Sequence, residues 1–209
     1  MKYLILLIPV FVFAISVKTF IHKQDCDQII NKRVYQICYN YSKKSATAVW
    51  YSLNEKQVKL PKLKTRPGFY GEKKIPKKFR TYTKDYTKTE YDRGHLANNG
   101  DFAYNKSIQK LTFSMANVTM QLPKVNRGSW KKAEISERNL ALKYKKVHIV
   151  NLVLYSKKIV NGITVPSSFF KIIYNNANHF EKCYYVRNIN DKQNIDIDCS
   201  LVPKYIYNF

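Results

Sequence analysis

Tyr91-Asp92-Arg93-Gly94-His95-Leu96-Ala97, then Asn117-Val118-Thr119-Met120-Gln121, then residues 126–138 (NRGSWKKAEISER) form the stretch around which the chain is organised. It gathers His, Asn, Glu and Arg side chains with no Cys among them. Imidazole, amide and carboxylate groups without thiolates suit a hard metal ion and a phosphodiester rather than zinc or thiol chemistry. Hydrolysing a phosphodiester needs a base for water, positive charge against the transition state and help for the departing oxygen. His95 titrates near neutral pH and is the candidate base. Gly94 beside it implies a tight backbone that presents the ring to a cleft. Arg138 is the candidate for the transition-state charge, because a guanidinium grips phosphate oxygens bidentately. Asn126 offers a neutral oxygen that leaves a hard cation largely hydrated, as Mg²⁺ prefers.

The last part of the stretch reads as a loop entering a helix over residues 124–145. At 3.6 residues per turn, Asn126, Trp130, Glu134 and Arg138 recur at i, i+4 on one face, with Ala141 below them. Trp130 is the packing anchor of that face, while Lys131, Lys132 and Ile135 are expected to point elsewhere. A helix whose inward face is this polar lines a site. Asn126 also suits a helix N-cap, and a helix N-terminus favours phosphate. Glu134 and Arg138, one turn apart, are placed for an ion pair. Upstream, residues 111–118 (LTFSMANV) have strand character.

These elements, in register, resemble the DNA/RNA non-specific endonuclease family, the sugar-non-specific nucleases with a ββα-metal core. The resemblance rests on Asp92 to Ala97, on Ser114-Met115-Ala116-Asn117, and on Asn126, Trp130, Glu134 and Arg138 at their mutual spacing, and it covers roughly residues 65–140. It implies an α+β protein of the ββα-metal (His-Me finger) fold, a central antiparallel sheet flanked by helices and long loops. It further implies His95 as general base and Asn126 as the ligand of a single Mg²⁺, with Mn²⁺ as a substitute. Glu134 would hold waters on that ion, one of which protonates the leaving oxygen. Arg138 and Arg93 join the catalytic set, Arg66 resembles a second phosphate-binding arginine, and Asn117 contacts substrate or holds the site. Asp92 is expected to anchor its loop by hydrogen bonds, with Arg93 either paired to it or turned to the substrate. Many relatives continue Leu-Ala-Pro after the histidine, whereas here Leu96-Ala97-Asn98-Asn99-Gly100-Asp101-Phe102 follows, so the loop after the base is expected to be the more flexible.

The charge balance points to a polyanionic partner. A net charge of +23, from 37 Lys plus Arg against 14 Asp plus Glu, is spread along the whole chain. So large an excess of one sign repels itself unless DNA, RNA or an anionic membrane surface offsets it; the alternative is that the lysines serve only solubility. Lys and Arg read the phosphate backbone and not the bases, which predicts action on DNA and RNA with little sequence specificity. The competing reading is a non-enzymatic nucleic-acid-binding protein at the cell surface, which gives no use to a base beside a metal ligand.

Outside this stretch, 45% apolar and 14% aromatic residues suffice for one sizeable core, so residues 17–209 are expected to form a single domain. Before them, Lys2 and the apolar residues 3–17 (YLILLIPVFVFAISV) read as an export signal, too short a run for a comfortable membrane span. Cleavage after Ser16 makes the protein secreted or periplasmic with no stable hold on the membrane; retention would leave an N-terminal anchor. Cys26, Cys38, Cys183 and Cys199 suit disulfides in that compartment. Three pairings are open, of which Cys26 with Cys38 and Cys183 with Cys199 are preferred because each closes a plausible loop. Residues 34–41 and 46–53 read as a hairpin, and residues 148–156, 169–174 and 183–186 as strands. Asn161-Gly162 reads as a two-residue hairpin turn. Residues 65–91 read as a long irregular connection draped over the core, and residues 201–209 as an apolar tail that docks. A homodimer is left open.

Overall fold

The β-branched and aromatic runs form strands whose two faces are both covered. The computed structural model describes residues 26–202, so the export segment and residues 203–209 of the tail lie outside the described residues. Strands β1 (Gln28–Asn31), β2 (Tyr35–Asn40), β3 (Ser45–Asn54), β6 (Lys146–Val160), β7 (Ile163–Asn175), β8 (Phe180–Arg187) and β9 (Asp196–Ile197) make one antiparallel sheet in that spatial order. Asn161 and Gly162 join β6 to β7 with φ of 49° and 78°, the positive pair that a type I′ turn requires. Alternation sends Ile37, Val49, Ile149, Phe169 and Ile173 to one face and Cys38, Ala48, Val150, Phe170 and Ile172 to the other. Both disulfides are of the local kind, Cys26–Cys38 and Cys183–Cys199.

The first of these faces carries the helix α4 (Trp130–Tyr144) and a separate two-stranded ribbon of β4 (Asp92–His95) and β5 (Val118–Gln121). In the ribbon Asp92 lies opposite Gln121 and His95 opposite Val118. Residues 111–118 are not a strand, contrary to their β-propensity. Asn105 accepts hydrogen bonds from the backbone N–H groups of Ser107 and Ile108 and so starts the helix α3 (Lys106–Thr112), and a 3₁₀ turn at Met115–Asn117 delays pairing until Val118. The cap and the burial of Ile108 outweigh local preference.

The connection over residues 65–91 is irregular, as expected, and it is tied down. Glu72 is buried, accepts from Lys32 Nζ at 2.6 Å and from Ser114 Oγ at 2.9 Å, and so fastens the loop to the sheet edge and to the start of the 3₁₀ turn. Arg80 donates to the carbonyls of Ile75 and Lys73, and the Tyr39 hydroxyl donates to the Phe79 carbonyl. The loop after His95 is likewise ordered: Asn98 accepts from Gly100 N at 2.9 Å and caps the short helix α2 (Asn99–Phe102), which replaces the flexible segment expected there. No helix among the described residues is long and apolar enough to cross a membrane.

Gly94 lies within β4 and its φ is not positive, so tight backbone geometry is not why glycine stands there. A Cβ at Gly94 would sit 2.3 Å from Cδ of Gln121, whose buried side chain crosses the strand. Gly94→Ala is therefore expected to cost about 1–3 kcal/mol of stability by overpacking. Gly94→Ala combined with Gln121→Ala is expected to recover most of it, as read by urea denaturation. Equal losses in the single and double variants would show that the contact is not the reason.

Candidate active site

His95 ends β4 with its ring only 7% exposed, between Phe69 at 5.3 Å and Phe113 at 5.0 Å between centroids. Its Nε2 is buried and has no hydrogen-bond partner among the described residues. Burial, and secondly the positive charge of Arg66, bring the imidazole down from its ordinary value to about 3. The ring is thus held neutral, in the form that can accept a proton. The indole N–H of Trp130 donates to the His95 carbonyl at 3.1 Å and fixes the strand end to α4.

Asn126 faces the cleft beside it. It lies not at an N-cap but inside a π-helical turn, Val125–Ser129, with its own N–H already bonded to the Leu122 carbonyl at 2.9 Å. The wider π turn shifts the register by one residue. Asn126, Glu134 and Arg138 therefore line the cleft, while Trp130 turns inward and is wholly buried, so the four do not share one face as regular helical spacing predicted. Lys131, expected to point away, lines the cleft too. Asn126 Nδ2 donates to Asp92 Oδ2 at 2.9 Å. Asp92 in turn accepts Nε and Nη2 of Arg127 at 2.8 and 2.7 Å, and those bonds hold its carboxyl below its ordinary value. An ionised carboxylate only accepts, so the amide must present its NH₂ to Asp92 and turn Oδ1 away. Asp92 does anchor its loop, but its partner is Arg127, a residue the spacing did not single out. Arg93 instead lies over Phe69, its guanidinium carbon 5.1 Å from the ring centre.

Arg138 does not pair with Glu134. Its Nη1 donates to Oδ1 of Asp101, 3.0 Å away and 0% exposed, on α2. Behind Asp101 lies a second buried acid, Glu137, which accepts from Lys171 Nζ at 2.6 Å and from the Tyr51 hydroxyl at 3.0 Å. Burial, and then the neighbouring Glu137 carboxylate, push Asp101 well above its ordinary value. Glu134 stands at the cleft wall, where desolvation, and then the Glu137 carboxylate, push its carboxyl up to about 8. Its carboxyl has no hydrogen bond or ion pair among the described residues, which leaves its oxygens for the cleft.

Of the two roles open to Asn117, contacting substrate or holding the site, the structure corrects the first and supports the second: it is 0% exposed, with Oδ1 accepting from Ala97 N at 2.8 Å and Nδ2 donating to the carbonyls of Ala97 and Thr112, each at 2.9 Å. It holds the chain on either side of the histidine. Arg66 does line the cleft, its guanidinium carbon 5.4 Å from the ring centre of Phe113. With Arg93, Arg138, Lys62 and Lys131 it surrounds a cleft of about 930 Å³. Asp101, Arg127 and the two phenylalanines escaped sequence reasoning; only Arg127, directly after Asn126, carried a signal by position.

No group of three His, Cys, Asp or Glu side chains gathers into a metal site among the described residues. An oriented amide oxygen with one carboxylate nearby fits a hard, largely hydrated cation, and a thiolate or imidazole metal does not fit.

A ribbon presenting the histidine, packed on a helix presenting the amide and carboxylate, defines the ββα-metal class of nuclease folds. The family model for the DNA/RNA non-specific endonuclease matches residues 17–203, and the chain belongs to that family. It is 30% identical over 161 residues to the mitochondrial nuclease of Saccharomyces cerevisiae, covering 68% of this chain and 49% of that protein. It is 32% identical over 146 residues to a nuclease of Nostoc sp., covering 68% and 52%, and 24% identical over 160 residues to endonuclease G of Homo sapiens, covering 70% and 54%. The chain spans about half the length of the curated relatives it matches. A crystal structure of an EndoG/EndoGI complex contains a chain of like fold, with a TM-score of 0.73 at 23% identity over 85% of this chain and 83% of that one.

Two expectations follow from the charge states. The His95 ring resonances should stay flat from pH 8 to 5 in an NMR titration; a midpoint near the ordinary 6.5 would overturn the buried, neutral imidazole. The folded protein should keep on Asp101 a proton that the unfolded chain releases near pH ~3.9. That group's stabilisation is full below this pH and declines as pH rises toward the folded value. Asp101→Asn should remove that slope and stay within about 1 kcal/mol of wild type in urea at pH 7, whereas a loss of about 3 kcal/mol or more would mark Asp101 as a paired carboxylate.

Proposed function

We propose that the protein is an exported, Mg²⁺-dependent endonuclease that hydrolyses DNA and RNA with little sequence specificity and leaves 5′-phosphate ends. The observation that carries the reading is one cleft that unites a neutral imidazole, a turned amide oxygen, the Glu134 carboxyl and six cationic side chains. The names of the relatives, nuclease and endonuclease G, support the reaction class.

In this reaction Arg138 and Arg66 hold the non-bridging oxygens of the scissile phosphate, Arg138 from a guanidinium kept in place by Asp101. His95 takes a proton from the attacking water, and its packing between Phe69 and Phe113 fixes the direction of that transfer. Asn126 would hold the Mg²⁺ through Oδ1, with Glu134 reaching it through water. When bound, the ion neutralises charge on the phosphate and on the departing O3′ oxygen. Asp92 and Arg127 keep Asn126 turned to the cleft. The cationic groups that line the cleft suit phosphate, which DNA and RNA share, and this supports action on both nucleic acids. Two disulfides support an oxidising destination, secreted or periplasmic, reached through the N-terminal signal.

Plasmid nicking tests the reading. The wild type should cut in Mg²⁺ and not in EDTA; His95→Ala should lose about 10²–10⁴-fold in rate, and Asn126→Ala should need far more Mg²⁺. Cleavage that persists in EDTA would refute the metal dependence, and full activity in His95→Ala would refute the base. Binding of nucleic acid by the wild type without any cleavage would favour a non-enzymatic binder.

A further inference from the structure

A second groove, of about 740 Å³, adjoins the cleft and shares Arg127 with it. One wall is the π turn and first turn of α4, with Lys124 and Lys132; the other is the loop after β8, with Asp191 and Lys192. All three lysines are exposed, and none takes part in an ion pair among the described residues. Asp191 is the single acid lining the groove. Arg127 stands on the ridge between the two depressions. Its side chain is 72% exposed, and Nε and Nη2 are engaged by Asp92 while Nη1 is not. A guanidinium carries five N–H donors in a planar fork, so the outer edge remains for a second anion while the inner edge holds Asp92.

We propose that this groove binds the sugar-phosphate backbone of nucleotides flanking the scissile bond, so that the strand leaves the cleft over Arg127 and runs between Lys124, Lys132 and Lys192. The inference rests on the nuclease reading and adds to it a path for the strand beyond the cleft. Continuity with the cleft selects the substrate strand as occupant over an unrelated anion. The chemistry of the lining selects its backbone. No aromatic side chain lines the groove, so it offers charge and hydrogen bonds and no stacking platform. Contacts of that kind add affinity without sequence preference and make it salt-dependent.

The test uses the full protein carrying Lys124→Glu, Lys132→Glu and Lys192→Glu, with Lys→Gln versions to guard against misfolding. A control reverses Lys77, Lys78 and Lys157, which are exposed and line neither depression. A single-nucleotide p-nitrophenyl phosphodiester should be cleaved by the groove variant as by the wild type. On a single-stranded oligonucleotide KM should rise about tenfold with kcat unchanged, and the slope of log kcat/KM against log salt should fall by about 2, at roughly 0.7 per lost phosphate contact. An unchanged KM and slope would overturn the proposal, as would equal losses in the control. Fluorescence anisotropy with the same oligonucleotide in EDTA reads the groove without catalysis. A weaker Kd confined to the groove variant supports the site even if neither substrate is cut, an outcome that would instead sink the nuclease reading.

Discussion

The bond from the Trp130 indole to the His95 carbonyl joins the two halves of the site. On one side is a two-stranded ribbon too short to be stable alone; on the other is a helix packed on the large sheet. Trp130 is wholly buried, with Phe169 at 5.4 Å and the Lys171 ammonium 4.7 Å from its ring centre, so its position is set by the core. A buried carbonyl left without a donor costs about 1–3 kcal/mol, so the strand end is pulled onto the helix rather than resting against it. His95 and Asn126 thereby acquire a fixed separation although they lie 31 residues apart in sequence. The other ties between the halves, from Asp92 to Asn126 and from Asp101 to Arg138, refine an alignment that this contact makes possible.

Charge is arranged in layers about that junction. Deepest is Lys171 with Glu137, both inaccessible, then Asp101 held toward its neutral form, then Arg138 at the cleft wall. The Asp101 carboxyl, whose hold on a proton burial strengthens, gives Arg138 a hydrogen-bond acceptor that fixes the direction of its guanidinium toward the cleft. A fully ionised Asp101 would neutralise the arginine and repel Glu137 in a medium of low dielectric. Outside these lie Arg66, Arg93, Lys62 and Lys131, resting on Phe69 and Phe113 where rings are near. Those two rings have a second effect, since the same apolar surface that supports the arginines desolvates His95 and keeps it unprotonated in a strongly positive field.

What the sequence disclosed and what it hid follow from the range of each interaction. The Asn161-Gly162 hairpin and the strand pair at the N-terminus depend on neighbours in the chain and were legible, whereas the disulfide pairing was a preference among three that the structure decides. The order of chemistry along residues 91–138 was legible because residue types at fixed spacing carry it. Orientation was not. One extra residue in the π turn separated Trp130 from Asn126 and brought Lys131 into the cleft, and no periodicity argument based on a regular helix can register that insertion. Which of its two roles Asn117 takes was not legible either, because the choice depends on burial: here every polar atom of its amide is spent on backbone. Asp101 and Lys171 drew no notice in the sequence, since their partners are 37 and 34 residues away.

Arg127 shows how one side chain can serve positioning and substrate together. Lysine at this position would present a point charge on a flexible stem and would have to choose between Asp92 and a phosphate, and choosing the phosphate would release Asp92 and with it the turn of the Asn126 amide. A planar fork has no such conflict, since its inner edge meets one carboxylate while its outer edge meets another anion. Substrate charge then reinforces the arrangement instead of competing with it: Arg127, held rigid by Asp92, loses little conformational freedom when a second anion arrives. The same rigidity makes the ridge between the two depressions a fixed point, which is what the proposed path of a strand over Arg127 requires.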